Sequence, residues 1–143
     1  MMKHVKSKMA IILSILAALL IIPIPASAAT QQNCSSQVGG YPCKQVIMSS
    51  FDHDAQSEAL YLKKGAYIQY WFDSSSSSKH LVNVGVLRYP DYYRLDHVVV
   101  APGAVTGDSK TIPQDGYYYV RAVCGGKGQF GCSGKGRISV LSY

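Results

Sequence analysis

The segment 88–94 holds the densest group of side chains in this chain that can bind a ligand. It reads Arg-Tyr-Pro-Asp-Tyr-Tyr-Arg, so three tyrosines and two guanidinium groups surround a proline turn. Tyrosine rings offer flat apolar faces with a polar edge, a surface that sugar rings or a partner protein can use. The alternative is that these rings pack within or between sheets, because tyrosine is a favoured strand residue. The candidate ligand-binding residues are Tyr89, Tyr92, Tyr93, Arg88 and Arg94.

A second group of candidates is cationic and lies towards the C-terminus. Lys127, Lys135 and Arg137, with Arg121 close in sequence, concentrate positive charge around a predicted loop over 125–136. Such a loop would attract an anionic polymer such as teichoic acid, or an acidic lipid surface, where each cation adds about 1 kcal/mol. The alternative is a solvated loop whose charges keep the domain soluble.

The same loop contains glycines with the spacing of a dinucleotide-binding fingerprint. Residues 126–131 read Gly-Lys-Gly-Gln-Phe-Gly, but the fingerprint needs a helix N-terminus after it to receive the pyrophosphate. The residues that follow, Cys-Ser-Gly-Lys-Gly, do not start a stable helix. We therefore expect a hairpin loop closed by a disulfide, and no cofactor.

Three aspartates invite a calcium site. Asp52, Asp54 and Asp73 offer the carboxylate oxygens that Ca²⁺ prefers, and His53 lies between the first two. Their spacing matches no known calcium loop, and Asp-x-Asp at a strand end is commonly a turn or a cap. The sequence predicts no metal site but leaves calcium open.

Patterns for catalysis are sparse. Past residue 28 the chain has three histidines, His53, His80 and His97, with the single glutamate Glu58, and neither H-E-x-x-H nor G-x-S-x-G occurs. Asp96 directly precedes His97, so on a strand the two side chains point to opposite faces and cannot orient each other. We expect a binding protein and not an enzyme, with a small hydrolase as an alternative.

The first 28 residues have the pattern of a cleaved secretory signal peptide. Basic residues start it, an apolar run occupies 9–22, and it ends in Ala26-Ser27-Ala28, a small-x-small cleavage motif. The run falls short of the ~20 residues that span a bilayer, and the first cysteine follows too late for a lipid anchor. We expect a secreted, bacterial-type protein with one domain over 29–143. Removal of the three leader lysines lowers the formal charge from +6 to +3, a weak basicity that does not favour nucleic acid.

Four cysteines predict two disulfides in an exported domain. We expect Cys34 to pair with Cys43 and Cys124 with Cys132, because each pair brackets a short Gly-rich or Ser-rich segment that can bend back. A loop of that size gains ~2.7 kcal/mol in the chain-entropy model, whereas a bridge from Cys34 to Cys124 would gain about 4.6 kcal/mol. The short pairs are therefore favoured by the closeness of the two cysteines in the sequence and not by the loop-entropy gain. Other pairings and a zinc site are alternatives, although the usual short Cys spacing of zinc sites is missing.

Short alternating runs separated by turn residues predict an all-β chain. In the clearest strand, 117–124, the even-numbered positions share one face and the odd-numbered positions share the other. About eight strands predict a two-sheet β-sandwich of Greek-key or jelly-roll type, with a flexible loop in the serine run 74–78. The strands are expected over 46–51, 58–62, 66–72, 81–89, 96–101, 109–112, 117–124 and 137–141.

Two stretches carry a family resemblance. The pattern Leu60-x-Leu62-x-x-Gly65 and the later run Asp-Gly-Tyr-Tyr-Tyr-Val at 115–120 resemble the bacterial pre-peptidase C-terminal domain, and the likeness covers most of 58–141. Members of that family are secreted β-sandwiches appended to hydrolases. The resemblance therefore implies a non-catalytic role in substrate attachment or secretion. The chain departs from the family in its four cysteines and in the expected absence of an attached enzyme.

Together these patterns favour a secreted, non-catalytic binding domain. Its ligand is expected to be an extracellular polysaccharide or a cell-wall polymer, met by Tyr89, Tyr92 and Tyr93 with help from Arg88 and Arg94. The alternative is a secreted antimicrobial or protease-inhibitor protein that uses the loop between its last two cysteines as a rigid projection. We expect no nucleic-acid partner and no transmembrane segment after the leader, while the oligomeric state stays open.

Overall fold

The computed structural model describes Cys34 and residues 41–143. The leader predicted over 1–28 and the predicted start of the domain lie outside the described residues. The part that is described contains strands and turns only, so it offers no helix able to cross a bilayer. The strands are β1 (Cys43–Met48), β2 (Asp54–Gln56), β3 (Leu60–Leu62), β4 (Tyr67–Ser74), β5 (Val82–Tyr89), β6 (Tyr93–Val100), β7 (Val105–Thr111), β8 (Gly116–Cys124) and β9 (Gly134–Ser142).

The strands form two antiparallel sheets. Sheet A has the order β1-β9-β4-β7, and sheet B has the order β2-β8-β5-β6, with the short β3 also pairing with β8. Neighbours in each sheet are mostly non-consecutive in the chain, as in Greek-key sandwiches. The predicted all-β, two-sheet β-sandwich is confirmed, with nine strands among the described residues instead of about eight.

One hydrophobic core joins the two sheets. On β5, strand alternation sends Val82, Val84 and Val86 inward, and on β8 it sends Tyr118 and Val120 inward; all five are fully buried. Burying such side chains contributes about 1.5–3 kcal/mol each. The remaining positions of β5 and β8 are thereby left to the outer face of sheet B. Sheet A supplies Val46, Met48, Ile68, Tyr70, Phe72, Ile138 and Val140 to the same core.

Several strand boundaries differ from the sequence prediction. β6 begins at Tyr93 and not at position 96, because Tyr93 pairs with Arg88 directly after the β5–β6 turn. β9 begins at Gly134 because it lies between β1 and β4 and pairs with both from its first residue. β2 is too short and polar to give a sequence signal, yet it pairs with β8 in full register.

Both predicted disulfides are present. Cys34 and Cys43 are bonded with their Cα atoms 5.4 Å apart, and Cys124 and Cys132 are bonded with Cα atoms 5.5 Å apart. The first bond fixes the start of β1, and the second closes the β8–β9 loop. Both cysteines of the second bond are fully buried, so it is also part of the core.

The serine run is a compact hydrogen-bonded turn, and the flexible loop expected from its composition is wrong. Ser74 and Ser78 are buried, and Ser74 Oγ donates to Ser78 Oγ at 3.1 Å. Ser78 Oγ donates to the carbonyl oxygen of Ser133 and accepts from the Ser133 amide, both at 3.0 Å. The hydroxyls satisfy one another and a neighbouring backbone, so the run needs no apolar burial to be held in place.

Candidate ligand-binding face

Four tyrosines form a row across one end of sheet B, on the face that points away from the core. Tyr61 on β3 and Tyr117 on β8 are cross-strand partners whose ring centroids lie 5.2 Å apart. Tyr117 also pairs with Tyr89 on β5, and the Tyr89 ring meets the Tyr92 ring edge-on at 6.3 Å. The four residues are 52% to 63% exposed. We name them the tyrosine row.

Strand geometry explains why these rings line up. Side chains alternate along each strand, so the chain neighbours Leu60, Leu62 and Tyr118 enter the core while Tyr61 and Tyr117 point outward. Adjacent strands lie about 4.8 Å apart, so cross-strand partners such as Tyr117 and Tyr89 carry their side chains next to each other on one face. The result is a shallow aromatic surface across three strands and one turn.

Tyr92 reaches the row from the β5–β6 turn, in an unusual backbone conformation. Its φ of 55° lies in the left-handed region, which costs a residue with a Cβ roughly 1–2 kcal/mol. Glycine or asparagine is the usual residue at such a position, and a bulky aromatic residue there is an outlier of the kind that clusters at functional sites. The Tyr89–Pro90 peptide bond in the same turn is cis.

Arg88 and Tyr93 are separated from the row. By alternation Arg88 points to the opposite side of β5 from Tyr89, where it forms an ion pair with Asp91 and donates to Gln114 Oε1 at 2.7 Å. Its guanidinium carbon lies 5.2 Å from the centre of the Tyr93 ring. Hydrogen bonding between the two charged groups raises the pKa of Arg88 and lowers the pKa of Asp91. Arg88 therefore braces the turn that presents the row.

A cleft of about 270 Å³ lies beside the row on the same outer face. Gly85 leaves its floor without a side chain: a Cβ built there would lie 3.6 Å from Leu87 Cδ1 and 3.7 Å from Arg94 Cδ. The stem of Arg94 thus passes close to the floor. We name this the cationic cleft; its walls are Asn83, Leu87, Arg94, His97, Arg121 and Val123.

The two arginines of the cationic cleft differ in their partners. Arg121 Nε donates to Asp54 Oδ2 at 2.9 Å, and the two groups form an ion pair between β8 and β2. The Arg94 guanidinium has no acidic partner within residues 41–143. An uncompensated positive charge therefore borders the cleft.

Tyr119 lies between the row and the cleft. It follows Tyr117 and precedes Arg121 on the outer face of β8, and it pairs with Leu87 of β5. Although it is on the outer face, it is only 6% exposed. Burial raises the pKa of the Tyr119 phenol; nearby Arg121 opposes that shift and the Tyr92 phenol adds to it. The phenol is protonated at neutral pH, and the buried Tyr119 side chain supports the surface between the tyrosine row and the cationic cleft.

The predicted cationic loop is divided by the structure. Lys135 and Arg137 are strand residues and not loop residues, because β9 begins at Gly134. On sheet A, the Arg137 guanidinium carbon lies 5.4 Å from the centre of the Trp71 ring, and burial lowers the pKa of Arg137. Lys127 lies in the turn after β8. Arg121, considered as a neighbour of this group, belongs to sheet B and the cationic cleft.

The aspartates considered for calcium do not converge. Asp52 Oδ2 accepts from the Ser49 amide at 2.7 Å, and this hydrogen bond lowers the pKa of Asp52. Asp54 is paired with Arg121, and Asp73 lies on β4 of the other sheet. Among the described residues, no three side chains of the metal-binding types come together.

Asp96 and His97 face opposite sides of β6, as strand alternation predicts. Asp96 accepts a hydrogen bond from the Tyr70 hydroxyl at 2.7 Å and lies 3.4 Å from Lys110 Nζ, whereas His97 lines the cationic cleft. Burial and the bond to Asp96 raise the pKa of Tyr70 far above its ordinary value. The two neighbours therefore cannot act together in acid–base chemistry.

Tyr61 and Tyr117 are site residues that sequence reasoning did not select. They are remote in the chain from the segment 88–94, and only the registers of β3 and β5 with β8 bring them beside Tyr89. One signal was present: alternation along β8 predicts that Tyr117 shares a face with Arg121, and the structure confirms this.

Comparisons with known proteins add little to this geometry. No protein-family model matches the chain, and no curated protein matches it. One solved structure with some similarity is described as "CBM4 structure and function"; it is 13% identical, the match covers 77% of this chain and 81% of that chain, and the TM-score is 0.38. Likeness of this degree carries no conclusion about a ligand. The resemblance to the pre-peptidase C-terminal domain stays a prediction.

Proposed function

We propose that this protein is a secreted domain that binds a polysaccharide or another cell-wall polymer on the tyrosine row without turning it over. The observation that carries the proposal is the presence of four neighbouring, exposed tyrosine rings on one sheet face. Beneath Tyr61 and Tyr117 the inward positions are filled by the buried side chains of Leu60, Leu62 and Tyr118. The rings are therefore available for contacts outside the domain.

Tyrosine suits this role for physical reasons. A sugar ring has an apolar face and hydroxyl groups around its edge, and tyrosine matches both with its ring face and its phenolic hydroxyl. The side chain also has few rotatable bonds, so little conformational entropy is lost when it binds. Because its four rings are exposed on the outer face of a sheet, the row fits an extended polymer better than a small molecule, which needs an enclosed pocket.

Two further features support secretion and simple binding. The two disulfides are typical of proteins that work in an oxidising, extracellular environment.

Asp96 binds Tyr70 and Lys110 on the inner side of β6, so it does not assist His97 at the cationic cleft. The role that we assign to sheet B requires neither a nucleophile nor a general base.

A pull-down assay tests the proposal. Purified protein is incubated with insoluble polysaccharides and with bacterial cell walls, and the bound fraction is measured for wild type and for the Tyr89→Ala, Tyr117→Ala double variant. We expect at least a tenfold loss of affinity, because truncating an anchoring tyrosine commonly costs more than about 1 kcal/mol. Tyr67→Ala is the matched control, since Tyr67 is an exposed tyrosine on sheet A.

The variants also separate the members of the original candidate set. Tyr92→Ala removes a ring of the row and is expected to weaken binding. Tyr93→Ala removes a ring that lies against Arg88, outside the row, and is not expected to weaken binding. Equal retention of wild type and the double variant, with equal folding by circular dichroism, would reject the tyrosine row as the binding surface.

The disulfide-closed loop keeps the antagonistic alternative open. Between Cys124 and Cys132 this loop exposes Phe130, which is 54% accessible, and Lys127 lies in the turn that begins the loop. An antimicrobial or protease-inhibiting protein would lose activity in a Phe130→Ala variant. A polymer-binding protein should be inert in growth-inhibition and protease-inhibition screens and should bind polymer normally with this substitution.

A further inference from the structure

We infer that the polymer bound on the tyrosine row is acidic, and that the cationic cleft receives its carboxylate or phosphodiester groups. This inference rests on the proposed function, because it assigns the second half of the same binding surface. It also names the chemical class of the ligand, which the tyrosine row alone does not.

The row and the cleft are continuous on one face. Gly85, on the floor of the cleft, and Tyr89, in the row, lie on the same side of β5. They are separated by about 13 Å, since an antiparallel strand rises about 3.4 Å per residue. Leu87 and the covered ring of Tyr119 lie between them, and Arg94 is the partner of Leu87 on β6. An oligosaccharide segment of a few sugar rings can therefore contact both features at once.

The cleft has room for a charged substituent. Gly85 contributes no side chain to the floor, and its neighbours Asn83, Leu87 and Arg94 form walls around about 270 Å³. The space is open to the outer surface of the sheet and continuous with it, so a group attached to a polymer can enter while the chain itself stays on the row.

The charge of the cleft is positive and locally uncompensated. Asp54 is the acidic residue that approaches it, and its carboxylate is already paired with Arg121. Arg94 is left with a full positive charge. The other acidic residues of 41–143 are engaged or placed away from the cleft. In ion pairs, Glu58 binds Lys44, Asp91 binds Arg88, and Asp96 and Asp108 bind Lys110. Asp52 and Asp115 accept hydrogen bonds from backbone amides, and Asp73 lies on sheet A.

Guanidinium chemistry selects the kind of anion. Arginine presents a planar set of N–H donors that matches the two oxygens of a carboxylate or of a phosphate. A neutral sugar gives Arg94 only hydroxyl acceptors, which form weaker hydrogen bonds than charged oxygens do. The arrangement therefore favours uronic acid residues or phosphodiester linkages over unsubstituted sugars.

The test uses three soluble polymers: polygalacturonate, its fully methyl-esterified form, and polyglycerol phosphate. The first two share one sugar backbone and differ in whether each carboxyl group is a charged carboxylate or a neutral methyl ester, and the third supplies phosphodiesters. Affinities are measured by titration calorimetry for wild type, Arg94→Gln, Tyr117→Ala and Lys135→Gln. Lys135→Gln removes one cation from sheet A and so tests the rival anion-binding surface there.

We expect wild type to bind at least one acidic polymer about tenfold more tightly than the esterified polymer, and Arg94→Gln to abolish most of that difference. Preference for polygalacturonate identifies the carboxylate, and preference for polyglycerol phosphate identifies the phosphodiester. Tyr117→Ala should weaken binding of charged and esterified polymers alike.

Several results would overturn the inference. Equal affinity for charged and esterified polymers would do so while leaving the proposed function in place, provided Tyr117→Ala still weakens both. A loss of acidic-polymer binding in Lys135→Gln but not in Arg94→Gln would move the anion site to sheet A. Failure of Tyr117→Ala to change binding of any polymer would reject the proposed function itself, and absence of binding to both acidic polymers would reject the inference.

Discussion

Tyr89 on β5 and Tyr117 on β8 stand directly opposite each other as cross-strand partners, and both rings are exposed on the outer face of sheet B. This pairing joins two halves of the tyrosine row, because Tyr117 contacts Tyr61 on one side and Tyr89 contacts Tyr92 on the other. Residues that are distant in the chain thus become one surface through strand register alone.

The Tyr89–Tyr117 pair should be energetically coupled in the folded protein. Aromatic cross-strand pairs contribute about 0.2–1 kcal/mol relative to alanine pairs. In a double-mutant cycle, Tyr89→Ala and Tyr117→Ala should therefore destabilise the domain by less together than the sum of the single changes. Urea unfolding of the four proteins measures this. Strict additivity would show that the rings do not interact.

The left-handed conformation of Tyr92 predicts an unusual order of stability. Alanine at position 92 still carries a Cβ and keeps the backbone cost, whereas glycine does not. We expect Tyr92→Gly to be more stable than Tyr92→Ala by about 1 kcal/mol, the reverse of the order in an ordinary strand or helix. Both variants should lose polymer affinity equally. Chemical denaturation compares them, and a more stable alanine variant would contradict the assigned backbone conformation.

The buried hydroxyl of Tyr70 should make stability depend on alkaline pH. The pKa of Tyr70 is raised in the folded state, so its contribution is complete below the unfolded pKa of about 10 and falls as the pH rises above it. Tyr70→Phe loses the bond to Asp96 and should cost about 1.5–3 kcal/mol at pH 7.

Urea unfolding at pH 7 and pH 11 tests this prediction. The stability difference between wild type and Tyr70→Phe should shrink at the higher pH, because only the wild type must keep that phenol protonated to stay folded. A difference that is the same at both pH values would show that Tyr70 does not carry the effect.

Gly107 on β7 is expected to tolerate no side chain. A Cβ there would overlap the carbonyl oxygen of Tyr70 and lie 2.7 Å from Trp71 Cα, and backbone atoms of a paired strand cannot move away. Gly107→Ala should cost about 3 kcal/mol or more. Gly126→Ala is the control, since a Cβ at that position meets nothing within 4 Å and should change stability by less than about 0.5 kcal/mol. Similar melting curves for the two variants would contradict the close packing.

Removal of the Cys124–Cys132 disulfide should destabilise the domain by about 2.7 kcal/mol through loop entropy. The double variant Cys124→Ala, Cys132→Ala is compared with wild type by guanidinium unfolding under non-reducing conditions. The polymer affinity of the folded fraction should be unchanged, because the bond lies at the opposite end of β8 from Tyr117. A variant as stable as wild type would show that the bond constrains neither state.

Local rules explain what was predictable from the sequence. The inward positions of β8 and both disulfides follow from strand alternation and from short spacing, which need no knowledge of distant contacts. The join between Tyr61, Tyr117 and Tyr89 depends on the register of three strands, and register is set by packing of the whole sheet. The cleft above Gly85 cannot be predicted from the sequence either, because a glycine in a strand does not indicate which side chains surround it.

One local expectation failed for a physical reason that also applies to the partners of Arg88. The serine run looked flexible by composition, but Ser78 is buried in hydrogen bonds to Ser133 from a remote segment. Arg88 was selected as a ligand contact by its position in the segment 88–94, and in the fold it pairs with Asp91 and Gln114. Polar side chains take the partners that the fold supplies, and a sequence window cannot list those partners.

The covered ring of Tyr119 lies between the tyrosine row and the cationic cleft and supports both. A substitution of Tyr119 would disturb aromatic and ionic recognition simultaneously. Natural variants that bind a different ligand are therefore expected to retain Tyr119 and to change exposed positions such as Tyr61, Tyr92 and His97. Specificity can then diverge across homologues while the platform itself persists.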